Sequence, residues 1–157
     1  CALPISSEDK AMPTLLIDGK WVSAASGQTI DVINPCDAKT FTTLDRGTAA
    51  DIDLAVKAAR RAMDGTWGKL SAAERGRILV KAGELIVKNA EEIAQIEARD
   101  TGKPMSVARA DVVAVARYFE YYGGAADKLH GKQIPYMNGY NVQVVYEPHG
   151  VVALIIP

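Results

Sequence analysis

A chain of 157 residues, 48% hydrophobic and 24% charged, is long enough for one ordinary domain with a sizeable core. Eighteen basic against nineteen acidic side chains leave a net charge of -1, which excludes the electrostatic footprint that a phosphate backbone or an anionic membrane surface requires. With no purely apolar run longer than Val151 to Ile156 and no secretory signal in residues 1–11, the expectation is a cytoplasmic protein without nucleic-acid or membrane partners.

Residues 1–13 read as a leader or extension. Leu15 to Ile17 and Lys20 to Val22 flank Asp18-Gly19, a dipeptide that tolerates the positive φ angles of a two-residue turn, so a short hairpin is predicted. Thr29 to Ile33 is a second β-prone run. Asn34-Pro35 ends it, because proline disfavours helix at the residue before it and cannot donate to a ladder, and the chain then turns.

Thr48 with Asp51 has the pattern of a capping box, and Ile52, Ala55, Val56, Ala59 and Met63 follow at helical spacing. Ser71 and Glu74 repeat the signal. The apolar stripe Ile78, Leu79, Ala82, Ile86, Ile93 and Ile96 then predicts one long helix, stopped by Thr101-Gly102-Lys103-Pro104. A third helix is predicted from about Ser106 to Tyr122, with Val107, Ala110, Ala114 and Tyr118 on one face and Gly123-Gly124 marking its end.

Met137-Asn138-Gly139 supplies a turn, after which Val142, Val144 and Tyr146 alternate as a half-buried strand does, with no obvious partner in the chain. Val151 to Ile156 is apolar at every position, which suits a central parallel strand covered on both faces. Such a sheet needs further strands and crossover helices, and the expectation is an N-terminal piece of a longer α/β protein.

Few residues invite a catalytic reading on their own. Cys36 sits in the turn Asn34-Pro35-Cys36-Asp37 with acidic rather than basic neighbours, so nothing there activates a thiol, and with Cys1 it makes too few cysteines for a disulfide framework. His130 and His149 are far apart in sequence and match no zinc spacing. Gly123, Gly124 and Gly131 follow no apolar strand and lack the spacing of a dinucleotide fingerprint. Lys57, Arg60 and Arg61 lack the aromatic interleaving of a nucleic-acid surface.

The ordered series Asn34-Pro35, Ala55-Val56-Lys57-Ala58-Ala59, Arg75-Gly76-Arg77, Asp100-Thr101-Gly102-Lys103-Pro104, Tyr121-Tyr122-Gly123-Gly124, and Glu147-Pro148-His149-Gly150-Val151 into Ile155-Ile156-Pro157 resembles the aldehyde dehydrogenase superfamily over residues 14–157. The resemblance implies the N-terminal part of an α/β fold of helices, β-hairpins and the first strand of a parallel Rossmann-like sheet. Its parts would be residues 14–132 of the cofactor-binding domain, an extended oligomerisation segment over 133–148, and the first sheet strand over 149–157.

It also implies NAD or NADP as cofactor, an aldehyde substrate, a homodimer or homotetramer, and a thiohemiacetal mechanism whose cysteine, glutamate and asparagine lie beyond Pro157. Ile155, Ile156 and Pro157 match the strand end that touches the cofactor. Ala110, Ala114, Arg117 and Tyr118 match the border of the substrate tunnel, and Asp100 with the carbonyl of Ile33 matches a structural monovalent cation site. A non-enzymatic association module on the same scaffold is the alternative reading.

Overall fold

The computed structural model describes residues 13–156. As the Asp18-Gly19 turn predicts, β1 (Leu15–Ile17) and β2 (Lys20–Val22) pair antiparallel across Asp18 and Gly19, whose φ values of 54° and 73° are the two positive angles that close a tight hairpin. β3 (Thr29–Asn34) pairs with a strand beyond the predicted turn, β4 (Lys39–Asp45). A bulge lies between Val32 and Ile33, so that Val32 faces Thr42, Ile33 faces Thr40, and Phe41 has no opposite residue. The intervening turn is made locally: the Asn34 side-chain oxygen accepts from the Cys36 amide at 2.9 Å, and Ala38 adopts φ 57°.

Both capping signals act as expected. At the start of α1 (Ala49–Asp64) the Asp51 carboxylate accepts from the Thr48 amide at 2.8 Å, and at the start of α3 (Ala72–Lys88) Ser71 and Glu74 exchange side-chain-to-backbone bonds. A single turn, α2 (Thr66–Lys69), joins them. The predicted long second helix is in fact two, α3 and α4 (Ala90–Thr101), broken at Asn89. There the side-chain amide donates to the Leu85 carbonyl at 2.7 Å, a local bond that competes with continuing the helix ladder.

The third predicted helix, α5 (Met105–Ala125), runs past Gly123. That glycine is buried against Gly76 of α3, and it serves close helix approach rather than helix termination. The apolar stripe read from the sequence is not the buried face of α5. Ala108, Val112, Ala116 and Gly123 face inward, while Val107, Ala110, Ala114 and Tyr118 are exposed on the other side. Ala94, Ala108 and Val112 form the centre of the core, packed by Ile86, Ala90, Ala98 and Met105. Small side chains occupy this centre because the helices cross closely.

Val142–Val144 has an in-chain partner after all. β5 (Lys132–Ile134) pairs with β6 (Val142–Val144), Gln133 opposite Gln143, in a third two-stranded antiparallel sheet. The expected first strand of a parallel sheet is not formed as a ladder among the described residues. Val151–Ile156 has no hydrogen-bonded neighbour, and Ile155 and Ile156 are 95% and 82% exposed. A strand's backbone groups need a second strand to satisfy them, which no other described segment offers here.

Candidate functional site

α5 carries the functional candidates on the face that the core does not use. Ala110, Ala114, Arg117 and Tyr118 are all exposed, so this apolar spacing is not a core stripe. Arg117 pairs with Glu120 one turn along, at 2.6 Å. Ala114 and Tyr118 border a groove of about 610 Å³ whose other apolar walls are Ile86 at the end of α3, Ile93 of α4, and Val112 and Val115 of α5.

One end of that groove is charged. Lys103, in the loop between α4 and α5, donates to Glu97 Oε1 and to Asp111 Oδ2, each at 2.7 Å. These bonds, first the one to Asp111 and then the one to Glu97, hold the Lys103 ammonium above its ordinary pKa. Nearby, Arg109 of α5 grips Glu91 of α4 with two bonds of 2.8 Å. That fork, assisted by Gln95, draws the Glu91 carboxyl down to about 2. Two charged ties thus link α4 and α5 beside the groove, over the core contact of Ala94 with Ala108 and Val112.

Asp45 and Asp51 form a different cluster. Asp45 accepts from the Ala24 amide at 2.9 Å, the Thr14 amide at 2.8 Å and the Thr14 hydroxyl. Asp51, only 5% exposed, accepts from the Thr48 amide and hydroxyl and from the Ala25 amide at 3.0 Å. Backbone donors, Ala24 first for Asp45 and Thr48 first for Asp51, hold both carboxyls below their usual range. The pair clasps residues 24 and 25 and anchors the β1–β2 hairpin beside α1; its donors are backbone amides and threonine hydroxyls of the chain itself, which makes it structural.

The other sequence candidates are dispersed. Ile155 and Ile156 stand clear of the remaining described residues, and Pro157 lies outside the described residues. Ile33 and Asp100 come from neighbouring elements, since α4 packs on β3 and Gly102 sits against Pro35. Ile33 follows the β-bulge, where ladder pairing is interrupted. No cluster of three His, Cys, Asp or Glu side chains suited to a metal occurs among the described residues, so any ion there would depend on carbonyl oxygens as well as Asp100. Cys36 is exposed, as are His130 and His149. Sequence reasoning missed Glu97, Lys103 and Asp111 entirely; the only signal was a lysine in a tight loop flanked by acids at offsets of six and eight.

The sequence profile of the aldehyde dehydrogenase family matches residues 21–157. The chain belongs to the aldehyde dehydrogenase family. The mitochondrial aldehyde dehydrogenase family 2 member B4 of Arabidopsis thaliana is 44% identical over 145 residues, covering 91% of this chain and 27% of that protein. The crystal structure of a Burkholderia cenocepacia homologue has a TM-score of 0.85 at 55% identity, covering 87% of this chain and 29% of that one. Betaine aldehyde dehydrogenase of Staphylococcus aureus, solved with NAD+, has a TM-score of 0.75 at 35% identity over 79% of this chain and 25% of that one. The chain therefore spans about a quarter to a third of its relatives. Its helices and strand pairs are those of the N-terminal part of the aldehyde dehydrogenase fold. Among the described residues, no helix of this aldehyde dehydrogenase chain is long and apolar enough to cross a membrane.

Proposed function

We propose that the chain is the N-terminal part of an NAD(P)-dependent aldehyde dehydrogenase that oxidises an aldehyde to a carboxylic acid through a cysteine thiohemiacetal. The family match over residues 21–157 carries this reading. In the proposed reaction a thiolate adds to the aldehyde carbonyl and hydride leaves the resulting carbon. Water then releases the acid from the thioester. The bound nicotinamide cofactor, NAD or NADP, supplies the hydride acceptor. This chain's own share is to bind and orient: Ile155, Ile156 and Pro157 would lie along the cofactor once neighbouring strands complete the sheet, because ligands of open α/β sheets gather at strand carboxyl ends.

On this reading the exposed face of α5, with Ala110, Ala114, Arg117 and Tyr118, borders the path of the aldehyde, and its two alanines leave that path wide. Asp100 and the Ile33 carbonyl would hold a monovalent cation. A homodimer or homotetramer built through the segment 133–148, in the cytoplasm, completes the proposal.

Neither nucleophile nor water-activating glutamate is assigned to any residue of this chain. The purified 157-residue chain, mixed with aliphatic or aromatic aldehydes and NAD+ or NADP+, is expected to form no reduced nicotinamide above a blank. Turnover that disappears in Cys36→Ala would overturn the assignment of the nucleophile elsewhere. A chain extended through the remaining length seen in the relatives is expected to turn over aldehyde, and an inactive extended chain that still binds NAD+ would overturn the enzymatic reading.

A second reading is a non-enzymatic association module on the same scaffold. It is favoured by the apolar surface left open at Leu129, Val145, Tyr146, Leu154 and Ile155.

A further inference from the structure

We propose that Asn138 is a site of spontaneous modification: at the tip of the β5–β6 hairpin its side chain closes onto the Gly139 nitrogen as a succinimide, releases ammonia, and opens in water to aspartate and isoaspartate. The inference does not rest on the enzymatic reading above. Asn138 and Gly139 are both exposed. The Tyr140 amide donates to the Met137 carbonyl at 3.2 Å, closing a turn whose left-handed corner is Gly139 at φ 86°. The rings of Tyr136 and Tyr140 meet edge to face at 5.8 Å across the base of that turn.

Ring closure needs the backbone nitrogen of residue 139 to reach the side-chain carbonyl carbon of Asn138. Glycine has no Cβ to crowd that approach or restrict rotation of the peptide, and nothing lies within 4 Å of where a Cβ would stand. Among the described residues neither the Gly139 amide nor the Asn138 side chain has a hydrogen-bond partner, so no bond has to be given up first.

Base removes the Gly139 amide proton, the nitrogen bonds to Asn138 Cγ, and the side-chain nitrogen leaves as ammonia, taking up a proton in exchange. Water then opens the imide, its hydroxyl going to one carbonyl carbon and its hydrogen to the Gly139 nitrogen. Breaking the new bond to Cγ leaves aspartate. Breaking the older bond to the main-chain carbon of residue 138 leaves isoaspartate, with the backbone rerouted through Cβ. Either product adds one negative charge to a chain of net charge -1.

Each of the other asparagines lacks a requirement. Asn34 precedes Pro35, whose nitrogen carries no proton to lose. The Asn89 amide is held on the Leu85 carbonyl at 2.7 Å, and its neighbour Ala90 is fixed in the first turn of α4. Asn141 is followed by the β-branched Val142 at the start of β6, and its side-chain oxygen accepts from Gln133 at 3.4 Å and Gln143 at 3.5 Å. Asp18-Gly19 and Asp64-Gly65 share the small neighbour, but an ionised carboxylate is a poor electrophile.

The test holds the 157-residue chain in mildly alkaline buffer beside a free peptide of residues 135–141, and follows both by peptide mapping with mass spectrometry. Asn138 is expected to convert on the time scale of the free peptide, with isoaspartate among the products, while Asn34, Asn89 and Asn141 keep their amides. The rate is expected to rise with pH, because the attacking species is the deprotonated amide. Gly139→Ala is expected to lose the product over the same interval, and so is Asn138→Gln, whose longer side chain must close a larger ring. Both changes lie in an exposed turn outside the helical core, and unchanged helical circular dichroism checks that folded chains are being compared. Asn138 intact when the free peptide is exhausted, earlier conversion at Asn89 or Asn141, aspartate without isoaspartate, or undiminished conversion in Gly139→Ala would each overturn the inference. Aldehyde turnover enters none of these readouts, so the modification site and the enzymatic reading fail separately.

Discussion

Gly76 of α3 and Gly123 of α5 meet face to face: a Cβ placed on Gly123 would stand 2.7 Å from the Gly76 carbonyl oxygen and 2.8 Å from Val80 Cγ2. Both glycines are buried, and the reciprocal Cβ on Gly76 would press on the Gly123 carbonyl. Backbone cannot yield as a flexible side chain can. Gly123→Ala is therefore expected to destabilise the chain by about 1–3 kcal/mol through overpacking, even though alanine is the better helix former by about 1 kcal/mol. Gly124, the next residue, has open space around its Cβ position. Gly124→Ala is expected to stabilise by about 0.5–1 kcal/mol. Denaturant titration of the two variants checks both; a stabilised Gly123→Ala would show that the crossing is looser than described.

The opposite signs expected for two adjacent glycines show what the sequence could and could not convey. Gly123-Gly124 reads as a helix end because glycine lowers helix propensity, and that local rule was overridden by the tertiary contact with Gly76. The capping signals Thr48–Asp51 and Ser71–Glu74 were legible because cap and partner are three residues apart. α5 misled for the opposite reason. It is rich in alanine and valine on both sides, so periodicity alone offers two apolar faces, and the close crossing with α3 and α4 chooses the one with Ala108, Val112 and Ala116. β4 is hard to read in the sequence because Thr40, Thr42 and Thr43 of a half-exposed strand carry little hydrophobic alternation. The Glu97–Lys103–Asp111 triad needs the α4–α5 turn to exist before its spacing means anything.

The Glu91–Arg109 fork makes a pH prediction. Arg109 is the main cause of the drop of the Glu91 carboxyl from 4.5 to about 2. A carboxyl depressed in the folded chain stabilises fully above its unfolded pKa, and that contribution is lost as pH falls from about 4.5 through about 2. Both side chains are more than half exposed, so the effect is modest and screened by salt. Glu91→Gln is expected to melt below the wild-type chain at neutral pH and to converge with it under acid conditions. A gap that persists unchanged below pH of about 2 would mean that the pair acts through packing and not through charge.

Asp51 and Asp53 are two positions apart on α1 and should respond very differently. Asp51 is buried on the donors of Thr48 and Ala25, whereas Asp53 makes an exposed pair with Lys57 at 3.1 Å. Removing the Asp51 carboxylate strands those donors and loosens the hairpin it clasps. Asp51→Ala is expected to lower the melting temperature clearly and to expose the amide of Ala25 to hydrogen exchange, while Asp53→Ala leaves both unchanged within error. Equal losses in the two variants would count against the clasp.

The hairpin β5–β6 bears on association. Gln133 and Gln143 lie opposite each other in its ladder, yet a two-stranded sheet leaves an outer edge on each strand. Val145 and Tyr146 continue β6 with exposed apolar surface, and Leu129 adds to it just before β5. Such an edge with apolar side chains beside it is a template for pairing with another copy. The 157-residue chain is therefore expected to be oligomeric or aggregation-prone at micromolar concentration. Val145→Lys places a charge on this surface at a position outside the ladder, and is expected to raise solubility and shift sedimentation towards the monomer. The helices depend on the α3–α5 and α4–α5 contacts and not on this hairpin, so helical circular dichroism should not change. Loss of the helical signal in Val145→Lys would show that the segment belongs to the core, and a monodisperse wild-type monomer would show that the edge is already protected.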